Sequence, residues 1–420
     1  MTQAPFFQRR LQSWLQPWQS TDWLLFGLPV VVMLFASLLI ASTQQHVGDY
    51  GFAINHVVTG GIGVVIALWL ARGRYENLLS WRWIIYAVIN LSLVAVMFIG
   101  VVGNGAQSWI QIGGLTIQPS EFAKIGVIII LAAELKDRQS TTLFGLFKAL
   151  SITAVPWALV FLQPDLGTSL VFGAITLGML YWSNMNPGWL VLLGSPLVAA
   201  VLFNVSVPVW IGWVVVTGVI AWITLPWSLY STVVVVAINS ISGKLGDILW
   251  GLLQDYQKDR LILFLEPEKD PLGGGYHLIQ SRIAIGSGQL TGRGLFHGTQ
   301  TQLGFIPEHH TDFIYSVVGE ELGFIGAIAV IVAFWVICLR LVLIAQNAKD
   351  NFGSLLAIGV LSMIVFQVVI NIGMTVGVAP ITGIPLPWMS YGRSALLTNF
   401  IALGIVESVA NYRHRLKFTD

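Results

Sequence analysis

The chain has 420 residues, of which 55% are hydrophobic and only 10% are charged. Soluble domains carry about 25% charged residues, so most of this surface is expected to face lipid. The formal net charge of +1 gives no argument for a nucleic-acid partner. The single cysteine, Cys338, excludes a disulfide framework within one chain. The composition therefore predicts an all-α polytopic integral membrane protein.

Apolar runs long enough to cross a bilayer recur along the whole chain. The first follows Arg9 and Arg10 and lacks a small-residue cleavage site ahead of it, which indicates a retained span rather than a signal peptide. Nine runs are well defined: 23–41, 54–71, 83–102, 122–135, 149–163, 167–183, 313–340, 353–377 and 394–411. Three more lie near 189–206, 209–225 and 229–253.

Basic residues predict the orientation, because Lys and Arg accumulate in short cytoplasmic loops. One topology puts every basic cluster on the cytoplasmic side of a plasma (inner) membrane, together with both termini. The clusters are Arg9/Arg10, Arg72/Arg74/Arg82, Lys136/Arg138/Lys148, Arg340/Lys349 and Arg413/Arg415/Lys417. This topology needs an odd number of spans between 184 and 254. It predicts twelve spans in total, or ten if 189–225 does not fully cross.

Two polar segments then face outward, 103–120 and 254–312. The second holds seven of the 20 acidic residues and four of the seven histidines. Loops of more than about 15 residues are usually functional or disordered, and this one is too apolar and glycine-rich for disorder. No linker divides the chain, so residues 1–420 are expected to form one transmembrane domain with a catalytic loop at about 254–312.

Asp270 lies in the most informative part of that loop, the segment 266–277. Prolines on either side of it exclude a helix interior, and three glycines follow. A carboxylate fixed near the membrane surface could accept a proton from an attacking hydroxyl. An Asp-Pro turn is the structural alternative.

The segment 280–302 repeats glycine beside Arg282 and Arg293. Such a segment could cradle phosphate oxygens, although a tight interfacial hairpin explains the glycines equally well. Further on, Glu308, His309, His310 and Asp312 could bind a divalent metal, but their spacing matches no helical ligand pair. The preferred interpretation is that Thr311 or Asp312 caps the next helix.

Lys124 and Glu121 open the fourth span, in the sequence Pro-Ser-Glu-Phe-Ala-Lys, with Ser120 as the expected N-cap. A cation just inside a membrane helix is a functional candidate, and beside free helix N–H groups it would form an anion site suited to a diphosphate. A lysine that snorkels to the surface or pairs with Glu121 is an equal alternative.

Other polar residues near the predicted spans have structural interpretations. Asp165 and Thr168 resemble a helix N-cap. Glu320 and Glu321 lie within a span, where one of them should face protein or water and find a basic partner. The segment 385–394 is typical of a re-entrant or broken helix, which membrane depth tolerates only against protein or a cavity.

Taken in order, six motifs resemble the SEDS family (shape, elongation, division and sporulation) of RodA/FtsW-type membrane peptidoglycan glycosyltransferases. They are Pro-Ser-Glu-Phe-Ala-Lys124, Gln-Pro-Asp165-Leu-Gly-Thr, Asp270-Pro-Leu-Gly-x-Gly-Tyr-His277 with Gln280-Ser, Pro-Glu308-x-His-Thr-Asp312-Phe, Gly-Glu-Glu321-Leu-Gly, and Pro-Leu-Pro-Trp-Met-Ser-Tyr-Gly. The resemblance runs from about residue 103 to 407 and is greatest to the RodA type.

The resemblance implies polymerisation of lipid II during cell-wall elongation and cell-shape maintenance. Asp270 matches the family's loop aspartate, the proposed base for the acceptor GlcNAc 4-hydroxyl. That oxygen would attack the donor MurNAc anomeric carbon with inversion, and undecaprenyl diphosphate would leave. Lys124 and Arg282, with or without a divalent cation such as Mg²⁺, would neutralise the diphosphate. The remaining substrate-binding candidates are Glu121, His277, Gln280, Arg293 and Asp312.

The implied partners are membrane lipids and a class B penicillin-binding protein that supplies the transpeptidase. Three positions depart from the family pattern: Gln289 stands where a glycine is usual, Gly304 where an acidic residue is common, and Arg393 where glycine normally follows Tyr-Gly. The region 188–253 is also longer than is usual in the family. An additional pair of spans within 188–228 would explain the extra length. A lipid-linked precursor flippase or transporter and a non-catalytic membrane scaffold are the rival functions.

Overall fold

The computed structural model describes residues 21–45, 48–103, 106–113, 115–137, 142–163, 165–252, 275–303 and 310–413, together with positions 258, 264 and 270. Twelve helices of 17 or more residues dominate this part of the chain. They are α1 Trp23–Thr43, α2 Gly51–Arg72, α3 Glu76–Ile99, α4 Pro119–Leu135, α5 Leu143–Leu162, α6 Leu166–Trp182, α7 Pro187–Val205, α8 Val207–Thr224, α9 Ser228–Leu252, α12 Ile314–Gln346, α13 Asn351–Val376 and α14 Arg393–Tyr412. Two shorter helices, α10 Tyr276–Gly288 and α11 Thr299–Gln302, precede α12.

The long helices confirm the prediction of an all-α polytopic membrane protein. Within the described residues, eight of them are long and apolar enough to cross a bilayer. The twelve correspond one to one to the predicted apolar runs, including three between 187 and 252.

Helices α4 and α14 form the centre of the bundle. Nearly every residue of α4 is buried, and most of α14 is buried as well. Small residues allow α14 to approach α2 closely: a Cβ atom added to Gly404 would lie 2.7 Å from the Cα atom of Ala67. The central position of α4 places its polar first turn inside the protein rather than against lipid.

The predicted basic loops meet at one end of the bundle, called the basic end below. The Asn351 side chain donates to the Lys136 carbonyl (3.0 Å), and the Tyr412 hydroxyl donates to the Arg72 carbonyl (2.9 Å). Lys349 also pairs with Glu76 there. The opposite end, called the loop end, carries α10, α11 and the segments that join α3 to α4 and α13 to α14. The basic residues named here thus share one end, and the side of the membrane that this end faces stays a prediction. Other members of the predicted clusters lie outside the described residues: Arg9, Arg10, Arg138, Arg415 and Lys417.

A small antiparallel sheet occupies the first of the two polar segments. Its strands are β1 Val101–Gly103, β2 Ala106–Ile112 and β3 Leu115–Ile117, in the order β1-β2-β3. Ile110 pairs with Ile117 across a turn in which Gly113 has a φ of 56°. The sequence analysis treated this segment only as a polar loop, because seven-residue and shorter strands leave a weak periodic pattern.

Helix α12 is broken near its start, at Gly323 (φ 64°, ψ −160°). The segment that follows α10 satisfies the backbone groups freed by the break. The amides of Arg293 and Gly294 donate to the carbonyls of Glu320 and Glu321, and the amides of Phe324 and Ile325 donate to the carbonyls of Gln289 and Leu290. Non-helical backbone at membrane depth requires such partners, so this segment and α12 form one hydrogen-bonded unit.

Helices α7, α8 and α9 pack together beside α6. Leu192, Ala221, Leu225 and Val235 form a separate apolar cluster among them. A buried hydrogen bond joins the Asn239 amide of α9 to the Ser195 hydroxyl of α7 (3.0 Å). The predicted additional pair of spans therefore corresponds to two helices, α7 and α8, that associate with α9.

Candidate functional site

Lys124 and Glu121 form an ion pair inside the first turns of α4. Lys124 Nζ lies 2.7 Å from Glu121 Oε2, and the two side chains are 1% and 4% exposed. Of the two alternatives for Lys124, the pairing with Glu121 is observed, but at a buried position rather than at the protein surface. A buried ion pair gives up the hydration of both charges and is a poor device for stability alone. Its position therefore favours a functional role.

The expected N-cap of α4 was wrong by two residues. Gln118 is the N-cap and Pro119 is the first helical residue, because proline favours that position and needs no hydrogen-bond acceptor for its nitrogen. Ser120 is the second residue of the helix, and its hydroxyl donates to Asp165 (3.4 Å).

Asp165 links the start of α4 to the start of α6. One carboxylate oxygen caps α6 by accepting from the Thr168 amide (3.0 Å), which confirms the predicted N-cap. The other accepts from the Gln118 side-chain amide (3.0 Å). The Gln118 backbone amide in turn donates to the Ser394 hydroxyl at the start of α14 (2.9 Å). Three helix N-termini, each with positive partial charge, thus meet beside the Lys124–Glu121 pair.

Asp270 lies at the loop end, just before α10. Its carbonyl accepts from the Gly275 amide (3.0 Å). Its side chain is exposed, so the carboxylate is accessible to a substrate. Pro271, on which the Asp-Pro turn alternative depends, lies outside the described residues.

Helix α10 carries three further candidate residues and packs beside the start of α12 and the end of α13. The His277 ring stacks on Phe313, with ring centres 6.0 Å apart. Arg282 is exposed and donates to the Gly377 carbonyl (2.9 Å). Gln280 is half-buried on the same helix. These contacts hold α10 over the loop end of α13.

Asp312 belongs to the turn that precedes α12. Its carbonyl accepts from the Asn371 side chain of α13 (2.9 Å). The expectation that Thr311 or Asp312 caps α12 was wrong: the N-cap is Phe313, and no side chain caps the helix there. The Ser316 hydroxyl bonds back to the Phe313 carbonyl instead (2.5 Å), because the turn at 310–313 brings that carbonyl within reach.

Arg293 is exposed, and its guanidinium donates to the Ser287 hydroxyl (3.3 Å). The glycines around it support the hairpin interpretation. A Cβ atom added to Gly292 would lie 2.1 Å from the Glu321 carbonyl oxygen. Since the amides of Arg293 and Gly294 are bonded to α12, they are not open to phosphate oxygens. Any anion bound at this segment would contact the Arg293 side chain.

Glu320 and Glu321 are buried, as expected. A basic residue, His297, interacts electrostatically with Glu321, but the hydrogen-bond donors found among the described residues are amides and hydroxyls. The Glu320 carboxylate accepts from the Gln300 amide (2.7 Å) and from the amide and hydroxyl of Thr301 (2.9 and 2.6 Å). Glu321 accepts from the Ser42 hydroxyl at the end of α1. Amides and hydroxyls stabilise these carboxylates because the break at Gly323 brings α11 against them.

The candidate metal ligands are only partly described: Glu308 and His309 lie outside the described residues. Among the residues that are described, no group of three His, Cys, Asp or Glu side chains could hold a metal ion. The His310 ring is instead stacked on Phe52, with ring centres 4.5 Å apart.

The sequence analysis did not predict that the segment 385–394 and α2 contribute aromatic rings to the loop end. The Ser390 hydroxyl accepts from the Leu386 amide (2.8 Å), and Trp388 is 1% exposed, so this non-helical segment packs against protein as expected. It also carries Tyr391, which lies beside Phe52 and His310. No local sequence signal joins these three rings, because they belong to segments far apart in the chain.

Comparison with known proteins agrees with this architecture. The model of the FtsW/RodA/SpoVE family, described as "Cell cycle protein", matches residues 18–213 and 200–415. The peptidoglycan glycosyltransferase MrdB of Escherichia coli (strain K12) is 35% identical over 390 residues, 92% of each chain. The peptidoglycan glycosyltransferase RodA of Treponema pallidum (strain Nichols) is 37% identical and covers 92% of this chain and 95% of its own.

Solved structures share the fold. A chain from a study of how a peptidoglycan synthase complex coordinates polymerization and crosslinking superposes with a TM-score of 0.70 and 25% identity, over 94% of this chain and 99% of that one. RodA of Thermus thermophilus has a TM-score of 0.63 and 24% identity, over 95% and 99% of the two chains. The matches to the family model and to full-length relatives show that this chain belongs to the FtsW/RodA/SpoVE family, the SEDS proteins.

Proposed function

We propose that this chain polymerises lipid II at the outer face of the membrane, as a peptidoglycan glycosyltransferase. The acceptor GlcNAc 4-hydroxyl attacks the donor MurNAc anomeric carbon, the glycosidic bond forms with inversion, and undecaprenyl diphosphate leaves with the electron pair of the broken C–O bond. The observation that carries this proposal is the buried Lys124–Glu121 pair, placed where three helix N-termini meet at the loop end.

Lys124 is the residue proposed to stabilise the departing diphosphate. Its amine lies in the interior, where a charge interacts more strongly than it does in water. Glu121 balances that charge while no substrate is bound. The uncapped N-terminus of α4 adds backbone N–H groups that favour an anion.

Asp270 is the proposed general base. Its exposed carboxylate faces the same end of the bundle, and the Gly275 amide fixes the backbone that carries it. Because the side chain is exposed, its contribution would come from placement beside the acceptor hydroxyl rather than from desolvation. The remaining roles are assigned with it: Arg282 and Arg293 supply accessible cations, and His277, Gln280 and Asp312 contact the substrate.

A divalent cation such as Mg²⁺ fits the described residues poorly as a resident group. No cluster of three ligating side chains is present among them, and the Glu121 carboxylate is bonded to Lys124. Magnesium often binds through one or two carboxylates and the substrate's own phosphates. No step is therefore assigned to a metal.

We also propose a cellular setting for this activity. The basic end is proposed to face the cytoplasm of an inner-membrane protein, with both termini there and the loop end outside. A structural neighbour comes from a complex that couples polymerization to crosslinking. We therefore assign a class B penicillin-binding protein as partner. Relatives named MrdB or RodA are 35–37% identical and those named FtsW 31–32%, which favours elongation over division.

The test uses purified full-length protein and labelled lipid II, with glycan chains separated by gel. Asp270→Asn is expected to abolish polymerisation while the protein stays folded. The matched control is Asp49→Asn, which changes another exposed loop-end carboxylate, one that accepts a hydrogen bond from the Gly51 amide. Polymerisation by Asp270→Asn at the wild-type rate would refute the catalytic assignment. Transport of lipid II without polymerisation by the wild type would support the flippase alternative.

A further inference from the structure

Three aromatic rings from distant parts of the chain meet at the loop end. The Phe52 ring of α2 lies flat on the His310 ring, with centres 4.5 Å apart and an angle of 6° between the planes. The Tyr391 ring is 5.0 Å from Phe52 and 5.8 Å from His310. The Tyr391 amide also donates to the His310 carbonyl (2.9 Å), which fixes the two segments relative to each other. We call these three residues the aromatic platform.

The platform differs from the aromatic clusters that serve only as core. Phe334 and Phe400 both pack beside Trp388, and the three rings belong to residues that are 2%, 0% and 1% exposed, respectively. Phe52 is 41% exposed, and His310 and Tyr391 are half-buried. Rings held together by several contacts yet left partly open are available to a ligand.

The platform lies beside the start of α4, the helix that carries Lys124. His310 is two residues from Asp312, in the turn that precedes α12. Tyr391 is three residues from Ser394, whose hydroxyl bonds the Gln118 amide at the start of α4. Three residues span at most about 10 Å, so the ring lies near the helix that carries Lys124.

The chemistry of the rings indicates what they bind. Next to its diphosphate, the lipid-linked substrate presents a pyranose ring. One face of such a ring is lined with C–H groups that pack on aromatic faces, and its edge carries hydroxyls and amides. The platform offers the faces, while the Tyr391 hydroxyl and the His310 nitrogens offer polar edges. The lipid-facing Phe98 is 81% exposed and offers no polar atom.

We propose that Phe52, His310 and Tyr391 form a stacking platform for one N-acetylated pyranose ring of the lipid-linked substrate. The assignment rests on the proposed function. It adds a sugar-recognising surface to the cation site at Lys124, so that the protein distinguishes a lipid carrying sugars from the bare polyprenyl diphosphate.

The experiment measures the affinity of the full-length protein for two probes, lipid II and undecaprenyl diphosphate. Phe52→Leu removes the ring and keeps apolar volume. It is expected to weaken lipid II binding roughly five- to ten-fold, in line with the worth of one aromatic contact, and to leave undecaprenyl diphosphate binding within about two-fold. Phe52→Trp keeps a ring face and is expected to retain lipid II affinity. Phe98→Leu is the matched control and is expected to change neither affinity.

Each other outcome overturns the platform. Equal weakening of both probes would mean that Phe52 contacts the polyprenyl chain. Unchanged lipid II affinity in Phe52→Leu would mean that the rings only pack against one another. A lower melting temperature with an unchanged ratio of the two affinities would mean the same. Failure of the wild type to polymerise lipid II would instead refute the proposed function.

Discussion

The Lys124–Glu121 pair gives a prediction that separates folding from catalysis. Lys124→Met removes the ammonium and leaves a buried carboxylate without its counter-charge. Breaking a buried ion pair in this way costs about 3–5 kcal/mol. Replacing both residues with apolar ones, as in Glu121→Leu with Lys124→Met, removes both desolvation penalties. The double variant is expected to be within about 1 kcal/mol of wild type, or more stable.

Activity is expected to follow a different order. Single and double variants alike lack the cation that receives the diphosphate, so each should polymerise lipid II about 10²–10³-fold more slowly than wild type. Unfolding in detergent gives the stability, and the rate of glycan formation gives the activity. The double variant is therefore expected to fold and to lack activity.

The matched control is the Lys148–Glu134 pair at the other end of the bundle, where the Lys148 side chain is 49% exposed. Lys148→Met should cost no more than about 1 kcal/mol and leave the rate unchanged. Wild-type polymerisation by the double variant would refute the role of Lys124. If Lys124→Met is as stable as wild type, the negative charge of Glu121 must be compensated by another group.

Three further predictions test the fold around the site. Gln289→Gly is expected to stabilise the protein by about 1 kcal/mol, because Gln289 has φ 49° and ψ −134°, a region that favours glycine. Gln289→Ala keeps the Cβ atom and should leave thermal unfolding unchanged, so equal shifts for both variants would contradict the explanation. Gly323→Ala places a Cβ atom 2.3 Å from the Gly292 nitrogen and should sharply lower the yield of monodisperse protein on size-exclusion chromatography. Asp165→Ala should cost about 1–2 kcal/mol by removing the α6 cap, whereas Gln118→Ala, which leaves the Thr168 amide its acceptor, should unfold nearer the wild-type temperature; an equal loss in both would point away from capping.

The spans and their parity could be predicted from the sequence, because a bilayer requires long apolar helices and basic residues mark the loops between them. Asp165 was also predictable as a cap, since capping is local. The N-cap of α4 was not, because Ser120 and the preceding Pro119 compete for adjacent positions and proline determined the start.

The hydrogen-bond partners of Glu320 and Glu321 could not be predicted, for a different reason. A span pattern does not show that a helix breaks, and the break at Gly323 brings in partners from α11 and α1. Tertiary contacts of this kind also explain why Phe52 and Tyr391 escaped notice. The sheet at 101–117 is a third case, in which short strands gain their stability from the helices beneath them rather than from their own pattern.

The junction between α12 and the residues after α10 has a mechanical consequence. Pulling residues 289–294 away would break four backbone hydrogen bonds in a low-dielectric setting, and each unsatisfied backbone group left there costs several kilocalories per mole. The backbone of Arg293 is therefore expected to move together with α12 as one rigid unit. A partner protein that tilts α12 in the bilayer would thereby shift the Arg293 guanidinium at the loop end without touching it.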